Sequence, residues 1–268
     1  MSGSLFEPEG DGVWLPTERS IGPWSRQALH GGPVAALLAR AAEQVPPDTP
    51  GPMQPVRLTL ELLRPAPVAP LTVSASVVRP GRKVQLVGAE AAIDVDGERT
   101  VVARASMLRL RTDDIPVPAG LPEVIPPPPE QGHGEAAWSD DDPTAFHNAG
   151  VEHAFVLGHF RRPGPSTDWI RLQVPVVPDE EPTPFQRVAA AADFGNGISG
   201  ILDPSQTTFV NPDLTVYLHR LPVGEWICLE ATTHAAPNGI GLAESALYDG
   251  QGRIGRSLQS LLFDRVDG

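Results

Sequence analysis

Apolar residues fall at alternate positions over Val56, Leu58, Leu60 and Leu62, so one face of a strand carries all four. Leu214, Val216 and Leu218 repeat the alternation later in the chain. Elsewhere the period changes. Val34, Leu37, Leu38, Ala41 and Val45 recur at the three-and-four spacing of an amphipathic helix, with Pro33 suited to its first position and Pro46-Pro47 ending it. A second helix is predicted from Thr183-Pro184-Phe185-Gln186, which has the form of a capping box with proline just inside it. That helix continues from Val188 to Phe194 and breaks at Gly195-Asn196-Gly197. Asp96-Gly97, Asn238-Gly239 and Asp249-Gly250 are hairpin signals between strand-like runs.

The two patterns are copies of one another. Leu58-Thr59-Leu60-Glu61-Leu62-Leu63-Arg64 reads against Leu214-Thr215-Val216-Tyr217-Leu218-His219-Arg220, an offset of 156, and the offset drifts to about 152 by the last strand. A helix followed by long antiparallel strands, twice over, is an α+β arrangement in which each sheet curves around its helix. Residues 1–112 form the first copy and 146–268 the second, with Leu5 to Trp14 and His153 to Phe160 as opening strands. Residues 113–145, with Pro126 to Pro129 and Asp140-Asp141-Asp142, read as a proline-rich acidic linker.

Composition narrows the function classes. The net charge is −13, which argues against a nucleic-acid partner because phosphate binding needs a basic stripe. Cys228 is the lone cysteine, so there is neither a disulfide framework nor a cysteine-based zinc site. No apolar run approaches the ~18 residues of a membrane span, and Met1-Ser2-Gly3-Ser4 does not open a signal peptide. The expectation is a soluble, cytoplasmic protein that needs no cofactor and no metal.

Chemistry is sought where the copies diverge. Asp193 stands where the first helix has Ala39, Asn211 where the first copy has Pro55, and Gln259 where it has Met107. At all three positions the first copy is inert and the second polar. Asp193 opposes the dipole at the end of its helix, so local helix stability does not account for it. Beside an apolar stripe a carboxylate is costly unless hydrogen-bonded, and an Asn and a Gln can satisfy it while holding a water. Gly195-Asn196-Gly197-Ile198-Ser199-Gly200 matches a dinucleotide fingerprint in letters only, because it follows a helix and leads toward strands. Ser199 is poorly placed for a nucleophile elbow. His147, His153 and His159 lack a ligand cluster and read as surface or stacking residues. Cys228, within an apolar run, reads as a small buried hydrophobe.

On these residues the chain resembles a double hot-dog acyl-CoA thioesterase of the bacterial thioesterase II and peroxisomal type. The carriers are His30-Gly31-Gly32, Ala192-Asp193-Phe194, Asn211-Pro212-Asp213 through Leu218-His219-Arg220, Glu225-Trp226 and Ser257-Leu258-Gln259. The resemblance implies two hot-dog repeats, hydrolysis of a small-molecule acyl-CoA thioester, and pairing into homo-oligomers. It implies a helix Asp, a strand-entry Thr or Ser and a late-strand Gln around the hydrolytic water. Asp193 and Gln259 match, whereas Asn211 replaces the hydroxyl residue unless Thr207, Thr208 or Thr215 supplies one. Leu214 stands where the family has His.

Asp193 is then the general base or orienting acceptor, with Gln259 and Asn211 holding the water in line. Gly31 and Gly32, at a helix entrance, are candidates for stabilising the oxyanion and binding substrate. Trp14, Trp24 or Phe194 would line an acyl channel, and Arg79, Arg82, Lys83, Arg161 or Arg162 could meet CoA phosphates. Two other readings remain open: a non-catalytic acyl-CoA or lipid-binding double hot-dog protein, and a hot-dog enoyl hydratase or dehydratase. The latter chemistry usually needs an Asp–His pair, and no His lies near Asp193 in sequence.

Overall fold

The computed structural model describes residues 3–265 apart from 49, 117, 119–123, 135–141 and 204. Asp140 and Asp141 of the linker therefore lie outside the described residues. The first copy comprises β1 (Phe6–Gly10), β2 (Val13–Pro16), α1 (Gly31–Gln44), β3 (Met53–Leu62), β4 (Leu71–Arg79), β5 (Val84–Val95) and β6 (Glu98–Arg111). The second comprises β7 (Val151–His159), β8 (Arg162–Leu172), α2 (Pro184–Ala192), α3 (Gly195–Ile198), β9 (Thr207–Val210), β10 (Asp213–Leu218), β11 (Trp226–Ala235), β12 (Ile240–Asp249) and β13 (Gly252–Arg265).

All of the strands join one 13-stranded sheet in the order β1-β2-β4-β5-β6-β3-β10-β13-β12-β11-β8-β7, with β9 beside β13. The order is a palindrome of the two copies, and every pairing is antiparallel. The two sheets are thus fused edge to edge through β3 and β10. At the seam Thr59 faces Thr215, two residues occupying the same place in their copies.

Register recovers the sequence offsets. Thr59 pairs with Ser106, and Thr215 with Leu258, so the offset is 156 in one strand and 152 in the other. Between Pro55 and Arg57 the first copy slips register by one residue. The second copy makes the same slip between Val210–Leu262 and Thr215–Leu258, where Asn211-Pro212 separates β9 from β10. A bulge in one copy has become a break in the other, and Asn211 occupies it.

The core lies between the curved sheet and the two helices. Val34, Leu37 and Leu38 of α1 and Phe185, Val188 and Ala192 of α2 are buried with Leu58, Leu60, Leu214 and Val216 from the seam strands. The helices run antiparallel: the start of α1 meets the end of α2, where a Cβ on Gly32 would come within 2.5 Å of the Ala190 carbonyl oxygen.

Helix α1 begins two residues before Pro33, because the His30 ring caps it by accepting the Gly32 N–H at 3.0 Å. Proline is tolerated one turn in because its missing N–H would have had no partner there. Thr183 caps α2 by accepting the Gln186 N–H at 3.1 Å, with Pro184 at the first position. The Gln186 side chain, however, donates to Glu43 at 2.8 Å instead of closing a capping box. Part of the described linker docks on the second copy, while Asp142 pairs with Arg26 of the first at 3.2 Å. His133 bridges to Phe155, and the Trp169 indole N–H donates to the Pro127 carbonyl at 2.7 Å.

Candidate active site

Asp193 is the C-cap of α2 and only 5% exposed. Its Oδ1 accepts from Asn211 Nδ2 at 2.8 Å and from Gln259 Nε2 at 3.2 Å. Three residues from a helix end, a strand break and a late strand thus meet on one carboxylate oxygen.

Each amide is itself held. Gln259 Nε2 also lies 3.2 Å from the Asp193 carbonyl oxygen, and Gln259 Oε1 accepts the Asn196 N–H at 3.0 Å. Asn211 Oδ1 accepts from Asn196 Nδ2 at 3.2 Å. Gly195 permits this closeness, since a Cβ there would sit 3.0 Å from Gln259 Oε1 and 2.8 Å from Ser245 Oγ. Asn196, met in sequence only as part of a glycine-flanked break, is the hub that locks both amides.

The other carboxylate oxygen, Oδ2, faces His30 Nδ1 at 3.0 Å. This pairing spans the two copies, which is why proximity along the chain could not reveal it. The same ring nitrogen accepts the Gly32 N–H, and it cannot serve both neighbours in one protonation state. Bare, Nδ1 takes the Gly32 hydrogen; protonated, it donates to Asp193. The absence of a histidine near Asp193 in sequence is thereby corrected in space.

A cavity of about 480 Å³ opens beside this group, between the two copies. Asp193, Asn211, His30 and Gly31 line it, and Gln259 lies behind the carboxylate. A Cβ on Gly31 would fall 2.6 Å from Asp193 Oδ2, so a glycine is required where the carboxylate approaches α1. Gly32 is not in the lining; its N–H is already donated to His30, and it gives the helices room to pack.

Of the proposed acyl-channel aromatics, Trp24 (52% exposed) and Phe194 line the cavity. Trp14 instead lies under the Arg40 guanidinium, 4.8 Å from its ring centre. Among the candidate phosphate contacts, Arg161 lines a small neighbouring pocket and Arg79 donates to the Val84 carbonyl in its own hairpin.

None of Thr207, Thr208 and Thr215 lines the cavity, so they do not replace the hydroxyl at Asn211. Leu214 is fully buried in the core. Ser199 Oγ is spent on the Gly195 carbonyl and Thr233 Oγ1, both at 2.7 Å, which excludes it as an exposed nucleophile. Burial pushes the Cys228 thiol up, leaving it inert.

Of the reading of His147 and His153 as surface or stacking residues, the surface half is overturned because both are buried, while His153 does stack on Phe155. His153 packs against Phe155, Phe160 and Phe194 and pairs through Nδ1 with Asp168 Oδ2 at 2.6 Å. Burial raises the Asp168 carboxyl, with the His153 imidazole opposing the shift. Among the described residues no cluster of three or more His, Cys, Asp or Glu is placed to hold a metal.

Comparison with known proteins adds a family. Residues 20–110 match the model of the acyl-CoA thioesterase N-terminal domain, and residues 118–263 match that of its C-terminal domain. No curated protein matches the chain. Among solved structures, a hot-dog-fold protein from Alicyclobacillus acidocaldarius is 19% identical at a TM-score of 0.70, covering 95% of this chain and 93% of that one. An acyl-CoA thioesterase II from Mycobacterium marinum is 17% identical at 0.65, covering 98% and 97%. The tesB protein of Mycobacterium avium subs paratuberculosis is 17% identical at 0.66, covering 97% and 96%. At these identities the structural likeness establishes the double hot-dog fold.

Proposed function

Since the chain belongs to the acyl-CoA thioesterase family and is a thioester hydrolase, we propose that it cleaves acyl-CoA to the free acid and CoA with Asp193 as the base. The convergence of Asn211 and Gln259 on Asp193 Oδ1 carries this reading. Two amide N–H groups fix the carboxylate, and its second oxygen lies against Gly31 and His30, both in the cavity lining. A water held by Asp193 attacks the thioester carbonyl while its proton passes to the carboxylate. Asn211, in the lining, orients that water; Gln259, behind it, positions the carboxylate.

The tetrahedral oxyanion needs donors, and the start of α1 supplies them. With the Gly32 N–H committed to His30, the Gly31 N–H is the group aimed at substrate, aided by the helix dipole. Collapse of the intermediate breaks the C–S bond, and the departing thiolate takes up the proton stored on Asp193. General-base catalysis of this kind contributes ~10²–10⁴-fold.

Asp193→Asn is expected to keep the hydrogen-bonded shape and lower kcat for thiol release from acyl-CoA by at least ~10²-fold. Near-normal turnover by a folded Asp193→Asn protein would remove Asp193 from the mechanism. The Asp–His contact is the one observation favouring enoyl hydration instead. Loss of conjugated-enoyl absorbance without thiol release would establish that reading.

A further inference from the structure

A row of exposed apolar residues runs from the cavity mouth across the outer face of the sheet, the face turned away from the helices. Val210, Leu262 and Ile240 are register partners on β9, β13 and β12, so their side chains stand abreast at the ~4.8 Å spacing of strands. Leu242 follows Ile240 on the same face. Where the seam ends, the Leu62 N–H donates to the Pro212 carbonyl at 2.8 Å, and Leu63 just beyond it lines the cavity with Val210 and Trp24. These six residues are each between 40% and 57% exposed. Trp24 stands edge-on to Phe209 with ring centres 5.0 Å apart, which holds the indole at the mouth. In the first copy the matched row is Gln54, Leu110 and Val84, with a polar residue at the place of Val210.

Single exposed apolar residues are ordinary, but a contiguous patch beside an opening marks a surface that something covers. Water activation at Asp193 does not use Ile240, Leu242 or Leu262, since none of them lines the cavity. A second copy of the chain does not suit the patch. Stable protein interfaces take about 20–30 residues a side, and a protein seated over Trp24, Leu63 and Val210 would close the cavity. The net charge of −13 also sets two copies, or any acidic partner, against each other. A neutral lipid surface meets each condition. A few apolar side chains suffice for interfacial attachment, and tryptophan favours the boundary between headgroups and water. Zwitterionic headgroups carry no net charge to repel an acidic chain.

We propose that this end of the molecule docks on a neutral lipid surface, with Ile240, Leu242 and Leu262 in the boundary between headgroups and acyl chains. The cavity mouth is then held against the lipid. Docking itself goes beyond the thioester reading; that it brings an acyl group toward Asp193 rests on that reading.

Sedimentation of the full chain with phosphatidylcholine vesicles tests the proposal. Binding is expected to be as strong in high salt as in low, because burial of apolar side chains is not screened. Ile240→Glu and Leu262→Glu should each lower the bound fraction at limiting lipid by at least ~10-fold. Both should hydrolyse hexanoyl-CoA in vesicle-free buffer at the wild-type rate. Brominated phosphatidylcholine should quench tryptophan emission of the bound protein, and Trp24→Phe should remove most of that quenching.

A wild-type chain that stays in the supernatant would overturn the proposal whatever the variants do. So would unchanged binding by both glutamate variants, or binding confined to anionic vesicles and lost in salt. A wild-type dimer that Ile240→Glu dissociates would assign the row to a second copy instead. Vesicle binding by a wild-type chain that hydrolyses no thioester would keep the docking surface and remove the hydrolase reading.

Discussion

Gly31 shows how little room the candidate site leaves at a single position. An added methyl would meet Asp193 Oδ2 at 2.6 Å, and the carboxylate would have to retreat from α1. Gly31→Ala is therefore expected to fold and to lose at least ~10-fold in kcat, because a displacement of about an ångström is enough to spoil alignment. Steady-state kinetics with a melting curve on the same sample checks both halves of that statement. Gln259→Ala acts differently. It leaves the buried Asn196 N–H without an acceptor, costing about 1–3 kcal/mol, and frees the carboxylate to swing. Its signature is a lower melting temperature together with a reduced kcat. Asn211 and Gln259 were legible because each replaces an inert residue in a matched copy, whereas Asp193 stood out against Ala39 although the helix caps match it with Arg40. His30 and Asn196 were visible as letters, but their roles depend on contacts made across the duplication or around a tight turn, which leave no spacing to read.

The antiparallel pair of helices places a carboxylate at each junction. At one, Asp193 from the end of α2 sits against the start of α1; at the other, Glu43 near the end of α1 sits against the start of α2. Both carboxylates enjoy the positive end of the partner's dipole. Glu43 is closed in: Thr183 Oγ1 and Gln186 Nε2 each lie 2.8 Å from its Oε2. Burial raises its pKa, with those two hydrogen bonds opposing. A carboxyl raised on folding contributes stability below its ordinary pKa near 4.5, and that contribution is lost as pH rises through the folded value. Glu43→Gln is expected to gain on the wild type in chemical denaturation between about pH 4.5 and 7, with activity retained. The start of α2 was readable from Thr183-Pro184, but the diversion of Gln186 to Glu43 was not, because its partner belongs to the other copy. Counted from the caps His30 and Thr183, the residue equivalent to Asp193 is Arg40, one place beyond Ala39. Arg40 is tied to Glu180 by two hydrogen bonds of 2.7 and 2.5 Å.

At the scale of the whole molecule, the seam between β3 and β10 is what makes a single body of two repeats. Residues 1–112 alone would bare the inner edge of β3, a ready template for another strand, along with the face of α1 that packs on α2. That fragment is expected to self-associate, with light scattering reporting a dimer or larger species. A folded, monomeric fragment would show that the seam is dispensable. The duplication was legible because alternation and length both recur, and the drift in offset from 156 to 152 is reproduced in the strand registers. That β3 and β10 form the seam was not, since a strand pattern states which face is buried and is silent about which neighbour its edge will find.

That silent partner has an evolutionary corollary. In a true homodimer of single repeats, every substitution is written twice, and an arginine at Asp193's place would remove the carboxylate from both candidate sites together. Joining the genes lifts that obligation. Arg40 shows the licence in use: at the place matching Asp193 the first repeat carries an arginine that lies over Trp14 and pairs with Glu180, while its His30 and Gly31 still line the cavity.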